Sequence, residues 1–193
     1  MRIETTNVKK IIISDLENLD PISLYVEDHG KGRGEITITC FSDSWSYYWG
    51  AIGERDVIDF VLHCDNHYLS SKLNPHIEST VLDEEALENF VKSHIIEQRR
   101  ECLMDKKTAR ELWHKCKDLE EYRDTDRREY SEILHKIFGS EWYDYYPTKP
   151  NPKYQYFCRI LDSIKEALRE LKEKQTKPNI YKTTGDGVHN LYK

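Results

Sequence analysis

A chain of 193 residues suits one domain, or one domain with an appendage. Its apolar share of 38% and charged share of 33%, against about 45–50% and 25% for ordinary globular domains, predict a polar, soluble, elongated protein with a modest core. The formal net charge of −6 argues against broad binding along a nucleic-acid backbone, which needs clustered Lys and Arg to release counterions. It is too small to argue for a DNA mimic.

The charge is unevenly spread. Residues 1–73 carry 7 basic and 12 acidic side chains, residues 74–173 carry 18 and 22, and residues 174–193 carry 4 and 1. Only the tail is net basic. Five cysteines, Cys40, Cys64, Cys102, Cys116 and Cys158, lie far apart. Such spacing predicts reduced thiols in a cytosolic protein rather than a disulfide framework. The opening Met-Arg-Ile-Glu-Thr-Thr-Asn has no apolar core of the signal-peptide kind. Nothing approaches the roughly eighteen apolar residues of a membrane span, so a cytoplasmic setting without a membrane partner is expected.

In chain order, Ile11-Ile12-Ile13 predicts a short strand. Ile22, Leu24 and Val26 alternate with Ser23, Tyr25 and Glu27, the pattern of a half-buried strand. A turn at His29–Gly34 leads to a second alternation with Ile36, Ile38 and Cys40 inward. Trp45, Tyr47 and Trp49 then alternate with Ser46 and Tyr48, which places three rings on one face of a further strand. An antiparallel meander therefore fills the first fifty residues. Val57, Phe60, Val61 and Cys64 recur at i, i+3, i+4 and i+7, predicting a helix that covers one sheet face.

Residues 67–73 predict a second short helix, stopped near Asn74-Pro75. Thr80 to Glu84 reads as a helix start, followed by the stripe Leu87, Phe90, Val91 and Ile95. Residues 97–123 read as continuing helix, with Leu112, Cys116 and Leu119 inward. Tyr130, Ile133, Leu134, Ile137 and Phe138 mark another helix, ended by Gly139. A Pro-bounded loop over 141–153 holds Trp-Tyr-Asp-Tyr-Tyr-Pro. The last helix, about 153–174, has the stripe Phe157, Ile160, Leu161, Ile164, Leu168 and Leu171. The remainder, with Pro178, Gly185 and Gly187, is expected to be flexible or ordered only on a partner.

Each candidate for chemistry meets a plainer reading. Gly30-Lys31-Gly32-Arg33-Gly34 has the look of a phosphate loop, but phosphate cradling needs a helix N-terminus directly after the glycines, and a strand follows. A hairpin turn is the better reading, with a basic tip that touches a partner as the other. His63, Cys64, Asp65 and His67 are ligand types at close spacing, yet a structural zinc takes four ligands, often as two close pairs. His114 and Cys116, the nearest second pair, face apart on a helix. No Gly-x-Ser-x-Gly elbow and no activating context around a Cys marks a nucleophile. Asp56 and Asp59 read as solvated carboxylates. The sequence predicts no catalytic residue, no metal and no cofactor.

Aromatics are the strongest compositional signal, with 13 Tyr and 4 Trp. Trp and Tyr are enriched where surfaces are buried against partners, and rings on a sheet can stack single-stranded bases. Trp45 and Trp49 are expected in the core. The Trp142–Tyr146 cluster is less easily absorbed there. Arg99, Arg100, Lys106, Lys107 and Arg110, interleaved with Glu101 and Asp105, read as a solvated face with i, i+4 pairs.

One resemblance follows from these residues. Gly34–Cys40, Trp45 through Tyr48-Trp49-Gly50, Asp56 through Phe60, Cys64-Asp65, His67-Tyr68-Leu69, Lys72-Leu73 and Ala109-Arg110-Glu111-Leu112-Trp113 together resemble a family of small proteins encoded by bacteriophages and prophages of enteric bacteria. The resemblance covers about residues 30–125. It implies an origin and the cytoplasm of a bacterial host, and it brings no activity or catalytic residues.

The expected fold is α+β: a small antiparallel sheet of three or four strands, then a helical region of four to six helices and a flexible tail. The expected divisions are 1–75, a meander with its covering helix; 76–173, the helical region; and 174–193, the tail. The expected function is non-enzymatic binding and modulation of a host or phage protein complex, through Lys31, Arg33, Trp142, Tyr143, Tyr145 and Tyr146, with the tail as a further contact region. The alternative is a nucleic-acid-binding protein that uses sheet aromatics and the basic loop residues. An enzyme of unrecognised type is the third class.

Overall fold

The computed structural model of the chain describes residues 1–119, 121 and 126–176. Four strands, β1 (Lys9–Ile13), β2 (Ile22–Asp28), β3 (Gly34–Cys40) and β4 (Asp43–Trp49), form an antiparallel sheet in sequence order. Six helices follow among the described residues: α1 (Val57–His63), α2 (Asn66–Leu73), α3 (Glu84–Arg100), α4 (Lys106–Lys115), α5 (Arg127–Phe138) and α6 (Pro152–Thr176). This is the expected α+β architecture. No helix among the described residues is long and apolar enough to cross a membrane.

The described chain forms two compact units. One comprises Met1–Ile77 and the described residues from Tyr156 on; the other is Glu78–Gln155. These divisions differ from those of the sequence pattern, which grouped all of 76–173 together. The physical reason lies in the apolar stripe of α6. Phe157, Ile160, Leu161, Ile164 and Leu168 are buried in one cluster with the sheet residues Ile22, Leu24, Ile36 and Ile38.

Period-two alternation sets the register of that sheet. Leu24 lies opposite Ile38, Val26 opposite Ile36 and Ile22 opposite Cys40, so the apolar residues of both strands share one face. Trp45, Tyr47 and Trp49 continue the same face across β4 through their pairing with Ile38, Ile36 and Gly34. Val57 and Val61 of α1, Leu69 and Leu73 of α2 and the α6 stripe bury it. On the other face Thr37 Oγ1 donates to Ser46 Oγ at 2.9 Å, and Ser46 Oγ donates to Glu35 Oε1 at 2.9 Å. The α1–α2 junction is clamped to α6 by Lys165, only 7% exposed, whose Nζ donates to the Cys64 carbonyl at 2.6 Å and Asn66 Oδ1 at 2.7 Å. Burial pushes the Lys165 pKa down.

In the other unit Leu87, Val91 and Ile95 of α3, Ala109 and Leu112 of α4 and Tyr130, Ile133, Leu134 and Ile137 of α5 form a separate core. Here Thr80–Leu82 corrects the sequence reading: it is a strand, β5, paired antiparallel with β6 (Thr148–Pro150). Asp83 begins α3, its carboxylate accepting from the Ala86 amide at 3.4 Å. Pro150 is tolerated because this two-stranded ribbon leaves an edge without a ladder to break. Asn151 fastens the same corner: its amide donates to the Ser79 carbonyl at 3.0 Å and its Nδ2 to the Glu78 carbonyl at 2.7 Å.

A second correction concerns residues 97–123. The helix stops at Arg100, Cys102 takes φ +59°, and α4 restarts behind Asp105. The Asp105 carboxylate accepts from the amides of Lys107 at 2.8 Å and Thr108 at 3.0 Å. Hydrogen bonds from Thr108, side chain first, lower its pKa. The flexible-tail expectation falls outside the described residues from 177 on, while 174–176 belong to α6.

Candidate functional site

The aromatic segment 142–146 lies in the second unit, between the end of α5 and β6. Phe138 is the last residue of α5, and Gly139 leaves the helix at φ +83°, a conformation that costs a residue with a Cβ. Trp142–Tyr145 then forms one turn of 3-10 helix, closed by the Asp144 amide donating to the Glu141 carbonyl at 3.0 Å. One such turn points its four side chains in different directions, which divides the aromatic residues by role.

Trp142 and Tyr146 turn inward and pack, half-buried, on the core of this unit. The indole meets Tyr130 edge-on at 6.0 Å and Tyr146 at 5.9 Å. Tyr143 and Tyr145 turn outward, 60% and 50% exposed. Tyr145 closes a stack of three rings: it lies 5.6 Å from Phe138 at 14°, and Phe138 lies 5.5 Å from Phe90 at 16°. His94 leans on Phe138 at 4.7 Å. The stack holds the Tyr145 ring against α3 and α5 while leaving its outer face to solvent. Two aromatic side chains, Tyr145 on the stack and Tyr143 edge-on to Trp142 at 6.1 Å, are thus presented beside two rings that pack on the core.

Lys31 and Arg33 occupy the β2–β3 hairpin of the first unit. Lys31 Nζ lies 3.5 Å from Glu54 Oε2, with both side chains at the surface; such exposed pairs contribute about 0–1 kcal/mol. Arg33 Nε donates to the His29 carbonyl at 2.8 Å. The hairpin is also tied to the Gly50–Arg55 connection, since Ile52 N donates to the Gly32 carbonyl at 2.8 Å and Gly32 N to the Arg55 carbonyl at 3.4 Å. The glycine run is therefore a turn with a packing role, as the hairpin reading expects. Sequence reasoning brought six residues forward. The structure places three on one turn and Tyr146 directly after it, two of the four facing solvent, and the other two on a separate hairpin.

Three of the sheet rings, Trp45, Tyr47 and Trp49, face the core, whereas Tyr48, 49% exposed, pairs with Glu35 on the other face. Trp49 is buried, its Nε1 donates to the Tyr68 hydroxyl at 3.2 Å, and Trp45 packs 4.7 Å from Phe157. The two tryptophans of β4 are thus used by the core, as the sequence pattern expects.

The close ligand types of the sequence are also used locally. His63 Nδ1 lies 2.7 Å from the Asp59 carbonyl, and the Asp65 carboxylate caps α2 by accepting from the Tyr68 amide at 2.7 Å. Among the described residues no group of three or more His, Cys, Asp or Glu side chains gathers to hold an ion. Burial raises the Cys64 pKa, and it raises that of Cys116 to about 11. These thiols are kept protonated, the reverse of an activated nucleophile.

A four-stranded meander backed by helices, with a second helical unit that displays tyrosines from a packed turn, defines an α+β protein whose surface carries its distinguishing chemistry. The model of a phage family, Phage_phiTE_072, matches residues 1–170. The chain belongs to this phage family. The phage origin expected from residues 30–125 is thereby established over most of the chain. No curated protein and no solved structure matches it.

Proposed function

We propose that this phage protein acts without catalysis, by binding and modulating a protein complex of its host or of the phage, such as a defence or nucleic-acid-processing enzyme. The setting is the cytoplasm of an enteric bacterium. The observation that carries this reading is the division within the aromatic turn. Trp142 and Tyr146 are buried enough to serve the fold, whereas Tyr143 and Tyr145 expose half or more of their surface beside them. Held aromatic rings lose little conformational entropy on binding, and Tyr is enriched among residues that dominate interface energy.

The test is affinity capture of the tagged full-length chain from phage-infected cells, read by mass spectrometry. The wild type is compared with Tyr143→Ala/Tyr145→Ala. Removing two interface tyrosines at about 2 kcal/mol each would deplete a specific partner at least thirty-fold in the variant. Equal recovery of every protein by both chains would overturn the assignment of this turn.

A further inference from the structure

The basic residues that the sequence interleaves with acids do not remain interleaved in space. Helices α3 and α4 enclose an open groove of about 540 Å³. Its floor is apolar: Ile96, Ala109 and Trp113. Its rim is basic: Arg100, Lys106 and Arg110. The acids of the same stretch are used elsewhere, Asp105 as the cap of α4 and Glu101 at the end of α3, and neither lines the groove. The expected i, i+4 pairs are not made either. Among the described residues Arg100, Lys106 and Arg110 form no ion pair.

Helix stability does not account for this arrangement. Lys106 stands in the first turn of α4, where a positive charge opposes the helix dipole. Ile96 is 39% exposed, and Leu103, on the connection between the two helices, is 74% exposed. Among the described residues, an apolar floor lies beneath three cations that pair with no acid, in a chain whose net charge is negative.

We propose that this groove is the docking site for an acidic amphipathic helix of a protein partner. The inference rests on the protein-binding reading above and specifies the partner's chemistry. Leu or Ile side chains repeating at i, i+3, i+4 and i+7 would fill the floor, and Glu or Asp flanking that stripe would meet the rim. The ten residues of α4 run about 15 Å, which matches roughly three turns of a docked helix. A nucleic-acid strand fits less well. The floor is aliphatic apart from Trp113, and Lys92 Nζ, 5.4 Å from the indole centroid, covers one face of that ring. Stacking successive bases needs several free aromatic faces, and this groove offers at most one.

The test is fluorescence anisotropy with the full-length chain. The probes are a labelled fifteen-residue helical peptide with a leucine stripe and glutamate flanks, the same peptide with lysine flanks, and a single-stranded oligonucleotide. The acidic peptide is expected to bind and the lysine peptide to bind at least tenfold more weakly. Arg100→Glu/Arg110→Glu should weaken the acidic peptide at least tenfold, and the milder Arg100→Gln/Arg110→Gln should weaken it severalfold. Both variants change exposed side chains, and a circular dichroism melt checks their folding. No binding of the acidic peptide, equal binding by the variants, or displacement by the oligonucleotide would overturn the proposal. Tyr143→Ala/Tyr145→Ala should bind the peptide as the wild type does, so failure at the groove and failure of the aromatic turn give different results.

Discussion

Phe157→Ala is expected to remove about 3–5 kcal/mol of stability, the usual cost of truncating a buried phenylalanine. Phe157 is among the largest fully buried side chains, and its ring lies 4.7 Å from Trp45. It stands near the start of the α6 segment that closes the sheet, so its loss leaves a cavity at the contact between helix and strand. Total stabilities of natural domains are about 5–15 kcal/mol, so the variant should approach its unfolding midpoint under mild conditions. Urea denaturation followed by circular dichroism measures it. A loss below about 1 kcal/mol would mean that α6 does not complete this core.

The second large effect concerns the glycine run of the β2–β3 hairpin. A Cβ on Gly34 would lie 2.6 Å from Val57 Cβ and 3.1 Å from the Glu27 carbonyl oxygen. Val57 is buried at the first turn of α1 and has nowhere to move. A Cβ on Gly32, at φ +79°, would lie 2.6 Å from the Gly53 carbonyl oxygen. Gly30 has open space around it. Gly32→Ala and Gly34→Ala are therefore each expected to lose about 2 kcal/mol or more through overpacking, and Gly30→Ala only about 1 kcal/mol from its positive φ. Thermal melts of the three variants decide the order. Equal and negligible losses would return this run to the list of binding loops.

The sheet was legible because its strands are long enough for period two to declare itself. Ile22, Leu24 and Val26 face one way, Ser23, Tyr25 and Glu27 the other, and the pairing keeps them so. The apolar stripe of α6 was equally legible, but a stripe does not name its partner. That Phe157 meets Trp45 is a contact across more than a hundred residues, and nothing local encodes it.

Thr80-Val81-Leu82 failed for a different reason. Three residues carry no measurable period, and their strand character comes from pairing with 148–150. One signal nonetheless ran through the helical part. Asp56, Asp65, Asp83, Asp105 and Asp126 cap five of the helices, and Asn151 Oδ1 accepts from Lys153 N at 3.0 Å in the first turn of the sixth. Reading Asp as a start signal would have located α3 and the break before α4.

In the aromatic turn, composition alone pointed to residues 142–146. Which two rings support the fold depends on the phase of a single 3-10 turn. The charges of α3 and α4 carry the same lesson, for their mixture in sequence conceals a segregation that two helices create by packing together.

The central claim is that a protein partner contacts the outward tyrosines of the second unit. Amide hydrogen exchange of the full-length chain, alone and with the captured partner, tests it most directly. Slowed exchange across residues 141–147 is the result the account predicts; unchanged exchange there, with protection confined to the outward face of β2 and β3, would contradict it.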